Sequence, residues 1–293
     1  MLAQQLANGI LLGATYALFA LGFTLMFGVL RVINLVYGFY FTAGAFVALW
    51  LTRDGGWPLL LALPAAGIAA GAIAVVLDTL LLTRLRRVRA DELASLMVTL
   101  GAALALYSGM AAWLGTDIRR LPPDVLGNGA LDLLGVRVTV AQLLILAAAA
   151  VLVAALLWLV RGTRLGLAIR AMAEKPDAAA LMGINTARLA AFVSFLSGAL
   201  AGAGGVLIGL NFNAIHPYMG EEMMLRGFVV VIVGGLGDVV GALVAGLLLG
   251  VTEVMTAAYL SSGMKEAVGF AILVVVLWTR PAGLFGRTDM RRA

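Results

Sequence analysis

Ionisable and polar residues inside otherwise apolar stretches are where this sequence can do chemistry, and few are present. Glu253 lies within the apolar segment Val239–Leu260. A carboxylate at membrane depth marks a binding or ion-coupling site, unless it serves hydrogen bonding within a helix bundle. Asp78 precedes Arg84 by six residues; there a helix-end carboxylate reaches water or pairs with an arginine, or else binds a coupling ion. Asp238, in Gly234-Gly235-Leu-Gly237-Asp238, is placed to cap the helix that follows. Asn211 and Asn213 offer polar tips in the stretch Asn211–Tyr218, where a substrate or a substrate-delivery protein can be received. The single histidine, His216, precedes Pro217 and reads as a turn residue.

Several chemistries are absent. The chain has no cysteine, which removes disulfides, thiolate nucleophiles and Cys-based metal sites. One histidine makes neither a His-rich metal site nor a proton relay. The two lysines, Lys175 and Lys265, lie outside any G-x-x-x-x-G-K-[ST], so the chain has no P-loop. No G-x-S-x-G elbow and no H-E-x-x-H occurs. The expectation is a protein that is not an enzyme and needs no cofactor or metal. A pore of this kind is a channel, an ion-coupled carrier using Glu253 and Asp78, or one part of a pump.

The elements that position these residues are apolar helices. Of 293 residues, 63% are hydrophobic and 12% charged, with a mean hydropathy of +1.06. A soluble domain carries about 25% charged residues, so this composition describes a multi-pass protein in a lipid bilayer. The net charge of +5 is not a nucleic-acid footprint, because the arginines cluster in short loops, the topology signal of an inner membrane. The N-terminus lacks a basic n-region before its apolar run and reads as a retained span. Leu6–Gly28, Leu35–Thr52, Pro58–Leu82, Leu93–Leu114, Val138–Val160, Leu189–Leu210, Val239–Leu260 and Lys265–Trp278 read as spans. The arginine run Arg84–Arg89 and the tail Arg280–Ala293 are expected inside; residues 115–137 and 211–226 are expected as external loops. Small-xxx-small pairs at Gly9/Gly13, Gly67/Gly71, Gly198/Gly202 and Gly205/Gly209 suit close helix packing.

Gly227–Gly235 is too short to span, since a helix needs roughly 20 residues for the hydrocarbon core. Either a helix starting in the preceding loop crosses over Gly220–Gly235, or the glycine-rich break is re-entrant. The fold expected is all-α: one transmembrane bundle over 1–293, with about eight or nine crossings and a discontinuous glycine-rich element near 227–240.

Thr163–Leu189 stands apart as a polar, helix-capable segment between two apolar spans. Pro176 suits a first helical turn, Asp177 complements the helix dipole, and Gly183 is placed as a stop. Ala178, Leu181 and Met182 share one face, which predicts a short amphipathic helix, and a further helix starts at Asn185 or Thr186. Residues 161–188 therefore read as a cytoplasmic docking surface for a soluble partner.

Arg164-Leu-Gly166…Arg170-Ala171…Glu174…Ala178-Ala-Ala180-Leu-Met-Gly183-Ile184-Asn185, followed by Phe195-Leu-Ser-Gly198-Ala-Leu-Ala201-Gly202-Ala-Gly-Gly205, resembles the permease subunits of branched-chain amino acid ABC importers. The likeness extends to Gly234-Gly235-Leu-Gly237…Gly241-Ala242…Gly246…Gly250, to Tyr259-Leu260 and to Arg280-Pro281-Ala-Gly283-Leu284-Phe285-Gly286. It implies import of branched-chain amino acids or related small carboxylates across the bacterial inner membrane. It also implies a second homologous permease, two cytoplasmic ABC ATPase subunits and a periplasmic substrate-binding protein as partners. Arg164, Arg170, Glu174, Lys175, Asp177, Gly183 and Asn185 would then belong to the ATPase-coupling segment. Asn34, Tyr37, Phe39, Asn211, Asn213 and Glu253 are the candidate substrate-path residues. The family usually has a histidine and an acidic residue where this chain has Tyr37 and Phe39. That exchange makes the neighbourhood more apolar, pointing to a more aromatic cargo or to packing against the partner permease.

Overall fold

A computed structural model describes residues 2–87, 91–122, 129–133 and 136–286. Arg89, part of the 115–137 loop and the arginines of the extreme tail lie outside the described residues. The described chain is helical apart from one short ribbon. In order come α1 (Leu2–Leu30), α2 (Tyr37–Arg53), α3 (Leu59–Leu77), a π-helical turn (Asp78–Leu82), α4 (Thr83–Arg87) and α5 (Glu92–Leu114). Strands β1 (Ala130–Leu133) and β2 (Val136–Thr139) pair antiparallel, Ala130 opposite Thr139. Then follow α6 (Val140–Gly162), α7 (Arg164–Glu174), α8 (Pro176–Leu181), α9 (Thr186–Phe212), α10 (Met219–Gly234), α11 (Val239–Tyr259) and α12 (Lys265–Thr279).

Seven of the described helices are long and apolar enough to cross a membrane: α1, Leu59–Leu85, α5, α6, α9, α11 and Ser262–Thr279. Two shorter helices, α2 with 17 residues and α10 with 16, are packed largely inside the bundle. The helices divide by burial. In α1 the apolar window is 83% buried and in the last span only 6%. Therefore α1 and its neighbours form the centre, and α12 faces outward.

Between apolar helices in lipid, burial of apolar surface gives no net drive, and close backbone approach with dense van der Waals contact takes its place. The small-residue pairs supply that approach. Gly9 and Gly13 of α1 face Val251 and Leu247 of α11, and a Cβ on Gly13 would lie 2.7 Å from Leu247 Cα. Gly67 and Gly71 of α3 meet Ala199 and Phe195 of α9, while Gly202 of α9 also abuts Gly44 of α2. These contacts set two tight seams, α1 on α11 and α3 on α9, with α2 between them.

Local signals fix the helix ends. Thr139 and Gln142 close a capping box at the start of α6. Asp238 accepts a hydrogen bond from Gly241 N at 2.6 Å and caps α11. Gly235 and Gly237, at φ 108° and 87°, make the turn that ends α10, a conformation closed to most side chains. The tail completes this turn: Leu284 N donates to Val233 O at 2.8 Å and Phe285 N to Gly234 O at 3.1 Å. Arg280–Gly286 thereby satisfies carbonyls that α10 leaves open at its C-terminus. This is the physical reason for the two distant glycine motifs to occur together.

Residues 219–226 lie in the stretch read as an external loop, with a helix over Gly220–Gly235 starting in it as one alternative; they are the first two turns of α10, where Glu221 and Glu222 favour a helix start. One segment differs from expectation. Over Ala130–Leu133 and Val136–Thr139 the β1–β2 ribbon adds strand to an otherwise all-α fold; Val136 and Val138, alternating with Arg137 and Thr139, suit it.

Candidate translocation and coupling sites

Thr163 opens α7 by accepting from Gly166 N at 3.0 Å. Gly166, Ile169 and Met172 turn inward at helical spacing, with Gly166 against the Leu159 and Val160 carbonyls of α6. Lys175 breaks the helix with an extended backbone, Pro176 starts α8, and Gly183 at φ 85° ends it. Asn185 caps α9 through Arg188 N at 3.0 Å. The segment is thus two short helices, where the sequence reading singled out only the second. The face of α8 also differs: Ala179 is its buried residue, whereas Leu181 and Met182 are 89% and 84% exposed. One turn cannot bury both sides, and Ala179 fits the narrow space beside α9.

Arg164, Arg170, Glu174, Lys175, Asp177, Gly183 and Asn185 all lie on the exposed side. Arg170 is also spoken for structurally, since its guanidinium donates to the Val160 carbonyl. Arg31, at the end of α1, donates to the Ala173 and Glu174 carbonyls at 3.0 and 3.1 Å. It ties the last turn of α7 to α1. Next to this latch a vestibule of about 1090 Å³ opens between the ends of α1, α5, α6 and α11, bordered by Arg31, Asp91, Arg161, Arg170 and Asp238.

The candidate path residues divide into several places. Asn34 is buried in the break after α1, where its Oδ1 accepts from Val36 N at 3.0 Å and shapes the entry to α2. Tyr37 is wholly enclosed; its hydroxyl donates to Phe19 O at 2.9 Å, and its ring meets Phe19 and Phe23 edge-on at 4.8 and 5.4 Å. Tyr37 is therefore core of this chain, and an aromatic cargo gains no support from it. Phe39 is half-buried against Tyr107, with centroids 5.9 Å apart. Asn211 is half-buried near the end of α9. Asn213 ends α9 in a left-handed conformation and accepts from Leu121 N at 3.0 Å, tying two connecting segments together. His216 is a turn residue whose carbonyl accepts from Met219 N. Asp78 is 2% exposed in the π-helical turn beside α5 and α9, which excludes the reading of a carboxylate reaching water.

Glu253 is the exception, because partners from three helices converge with it. Tyr16 of α1 donates to Glu253 Oε2 at 2.8 Å. Arg226 of α10 places Nε 3.7 Å from Glu253 Oε1, and its Nη2 lies 3.1 Å from Glu266 Oε1 of α12. The guanidinium also lies over the Tyr16 ring, 5.9 Å from its centroid. Glu253 is 4% exposed and Glu266 61%. The sequence reading missed Arg226, Tyr16 and Glu266. The available signal was a lone arginine closing the stretch 211–226, directly before the apolar run Gly227–Gly235.

Among the described residues no group of acidic, histidine or cysteine side chains is arranged to hold a metal ion. The geometry offers an exposed two-helix platform at one end, a vestibule beside it, and an ionic cluster deeper in the bundle.

The family described as branched-chain amino acid transport system / permease component matches residues 5–277. The chain is 31% identical to the high-affinity branched-chain amino acid transport system permease protein LivH of Escherichia coli (strain K12), over 99% of this chain and 97% of that protein. It is 30% identical to the corresponding protein BraD of Pseudomonas aeruginosa, with the same coverage. It is 29% identical to a probable branched-chain amino acid transport permease protein LivH of Methanocaldococcus jannaschii, over 96% of this chain and 91% of that protein. No solved structure matches the chain. With the family matched along nearly the whole sequence and seven apolar helices in the fold, this chain belongs to the branched-chain amino acid transport system permease family and is a multi-pass inner-membrane permease.

Proposed function

We propose that this chain is the translocating subunit of an ABC importer that carries branched-chain amino acids or related small carboxylates inward. ATP is hydrolysed by two separate cytoplasmic subunits, a second homologous permease completes the pore, and a periplasmic binding protein delivers the cargo. The observation that carries the coupling half of this reading is the α7–α8 platform. It is rich in charge, latched to α1 by Arg31, and presents Leu181 and Met182 to solvent. Large apolar side chains held out on a short rigid helix suit the groove of a partner protein. Rocking the platform would pull on α1, and α1 is the most enclosed helix of the bundle.

In this reading α2 and α10 cross with the seven longer helices, giving nine crossings with the C-terminus inside. The Gly235–Gly237 turn joins α10 and α11 as the glycine-rich discontinuity. Arg161, Arg164, Arg170, Lys175 and Arg188 on the inner side support that orientation. An ion-coupled carrier using Glu253 and Asp78 is disfavoured, because both oxygens of the Glu253 carboxylate already have partners within the bundle, Tyr16 and Arg226.

The test is affinity purification of the tagged chain from native membranes, comparing wild type with Leu181→Asp and Met182→Asp. Wild type brings a second permease and ATPase subunits with it. The aspartate variants keep the permease and lose the ATPase. Equal ATPase recovery in all three removes the docking assignment.

A further inference from the structure

We propose that the inner vestibule is a binding site for an anionic phospholipid, its phosphate held by Arg31, Arg161 and Arg170 and its acyl chains lying on the apolar walls between α1, α5 and α6. A lipid bound there is neither cargo nor a protein subunit, and its binding depends only on the chain's placement in the membrane.

Three guanidiniums converge on the rim of the vestibule. Arg170 reaches back to the Val160 carbonyl, which places its head beside Arg161, the next residue of α6. Arg31 comes from α1 to the carbonyls of Ala173 and Glu174. Ala173 follows Arg170 at i, i+3 spacing on α7, so the Arg31 head lies within about a turn of Arg170. All three side chains are exposed, and among the described residues none of them pairs with a carboxylate. Arg31 and Arg170 each engage one terminal nitrogen with carbonyls, and Arg161 makes no hydrogen bond to a described residue. Each planar fork therefore keeps donors of the geometry that binds phosphate.

Like charges held this close repel, and an anion between them offsets that cost. The rim's own acids do not fill the role. Asp238 accepts from Gly241 N at the start of α11, where the helix dipole favours negative charge. Asp91 is the other acid on the rim, so three cations stand against two carboxylates. Depth points to the same ligand. The helix ends around the vestibule, C-terminal for α1 and α6 and N-terminal for α5 and α11, belong to the arginine-rich inner side. Basic pockets between membrane helices at that level take anionic lipid headgroups.

Below the rim the walls are apolar, with Leu25 and Val29 from α1, Leu93 and Leu96 from α5, and Leu157 from α6. Helix α5 packs chiefly on α2 and the π-helical turn, and α6 chiefly on α1 and α9, so little packing closes the seam between α5 and α6. Flanking that seam, Leu93 and Trp158 are 66% and 69% exposed, as lipid-facing side chains are. At about 30 Å³ per water-sized group, the vestibule of about 1090 Å³ admits on the order of thirty-six such groups. That is room for a headgroup with part of its acyl chains, and far more than a free phosphate needs.

The experiment uses the purified full chain in neutral detergent, offered equal amounts of phosphatidylglycerol and phosphatidylcholine, with bound lipid counted by native mass spectrometry. Wild type is expected to retain phosphatidylglycerol in preference. Arg161→Gln, at an exposed position with no bond to lose, keeps the wild-type melting temperature in detergent alone. It lowers the preference about fivefold, the loss expected for one arginine near a lipid phosphate. Arg161→Lys keeps most of the preference. Arg188→Gln removes the same charge from the inner side but outside the vestibule, and leaves the preference unchanged. Inorganic phosphate at millimolar concentration does not displace the lipid. No preference in wild type overturns the site, as does an unchanged preference in Arg161→Gln. Equal losses in Arg161→Gln and Arg188→Gln mean diffuse surface attraction only, and overturn it too. Displacement by inorganic phosphate means that the arginines take a free anion, which overturns the lipid assignment.

Discussion

The guanidinium of Arg31 donates to the main-chain carbonyl of Ala173 at 3.0 Å, joining the end of the most enclosed helix to the last turn of the exposed platform. Arg31 does this from a left-handed backbone, φ 52°, which costs a non-glycine residue about 1–2 kcal/mol. Arg31→Gly separates the two effects. Relief of backbone strain offsets part of the lost hydrogen bonds, about 0.5–1.5 kcal/mol each, and of the greater freedom of an unfolded glycine, about 0.5–1 kcal/mol. The melting temperature is expected to move by only a few degrees, while cargo moved per ATP hydrolysed falls several-fold. Wild-type stoichiometry in the reconstituted importer would refute the latch.

The Arg226–Glu253 pair gives a stability prediction independent of any ligand. Arg226→Met leaves Glu253, 4% exposed, without its cation, and breaking such a pair from one side costs about 3–5 kcal/mol. Adding Glu253→Gln removes the stranded charge and is expected to restore most of the loss in thermal unfolding. Tyr16→Phe should cost less, roughly 0.6–1.7 kcal/mol, the range for side-chain hydrogen bonds within membrane bundles. A double variant as unstable as Arg226→Met alone would mean that packing, and not charge, holds α10 to α11.

Glycine-to-alanine exchanges should divide sharply by position. A Cβ on Gly220 would meet the Gly38 carbonyl, which is backbone and cannot swing away. Gly220→Ala is expected to prevent accumulation of folded protein. A Cβ on Gly101 meets nothing within 4 Å, so Gly101→Ala should stabilise α5 by about 0.5–1 kcal/mol. Expression level and melting temperature of the two variants check this; similar behaviour would deny that the α2–α10 contact is tight.

The tail and the glycine turn should fail together. Asp238→Ala removes the cap of α11 at a cost of about 0.5–2 kcal/mol. Gly283 has φ 84°, and a Cβ there would sit 2.6 Å from Gly235 Cα. Gly283→Ala is therefore expected to undock Arg280–Gly286 and to raise amide hydrogen exchange at Leu284 and Phe285. Unchanged protection at those two amides would show that the tail does not depend on this contact.

The sequence by itself determined the class of protein, its family and most of its helices. Apolar runs must be helical in lipid, because backbone groups there have no water to bond, and Asp238, Asn185 and Pro176 announce helix starts through chemistry local to the chain. The GxxxG pairs were legible too, since only small residues admit the approach seen between Gly13 and Leu247. Tertiary structure alone decided which polar residues meet. Tyr16, Arg226, Glu253 and Glu266 are spread across four helices, and no periodicity relates them. It also decided that Tyr37 packs within this chain's own core, and that Leu181 stays on the surface although its type favours burial. A side chain's partners are set by helix crossing and rotation, and these depend on the summed packing of all the helices. The short helix α10 shows the limit most plainly: its start lies in a stretch that reads as loop, and the docked tail, some fifty residues further on, caps its end.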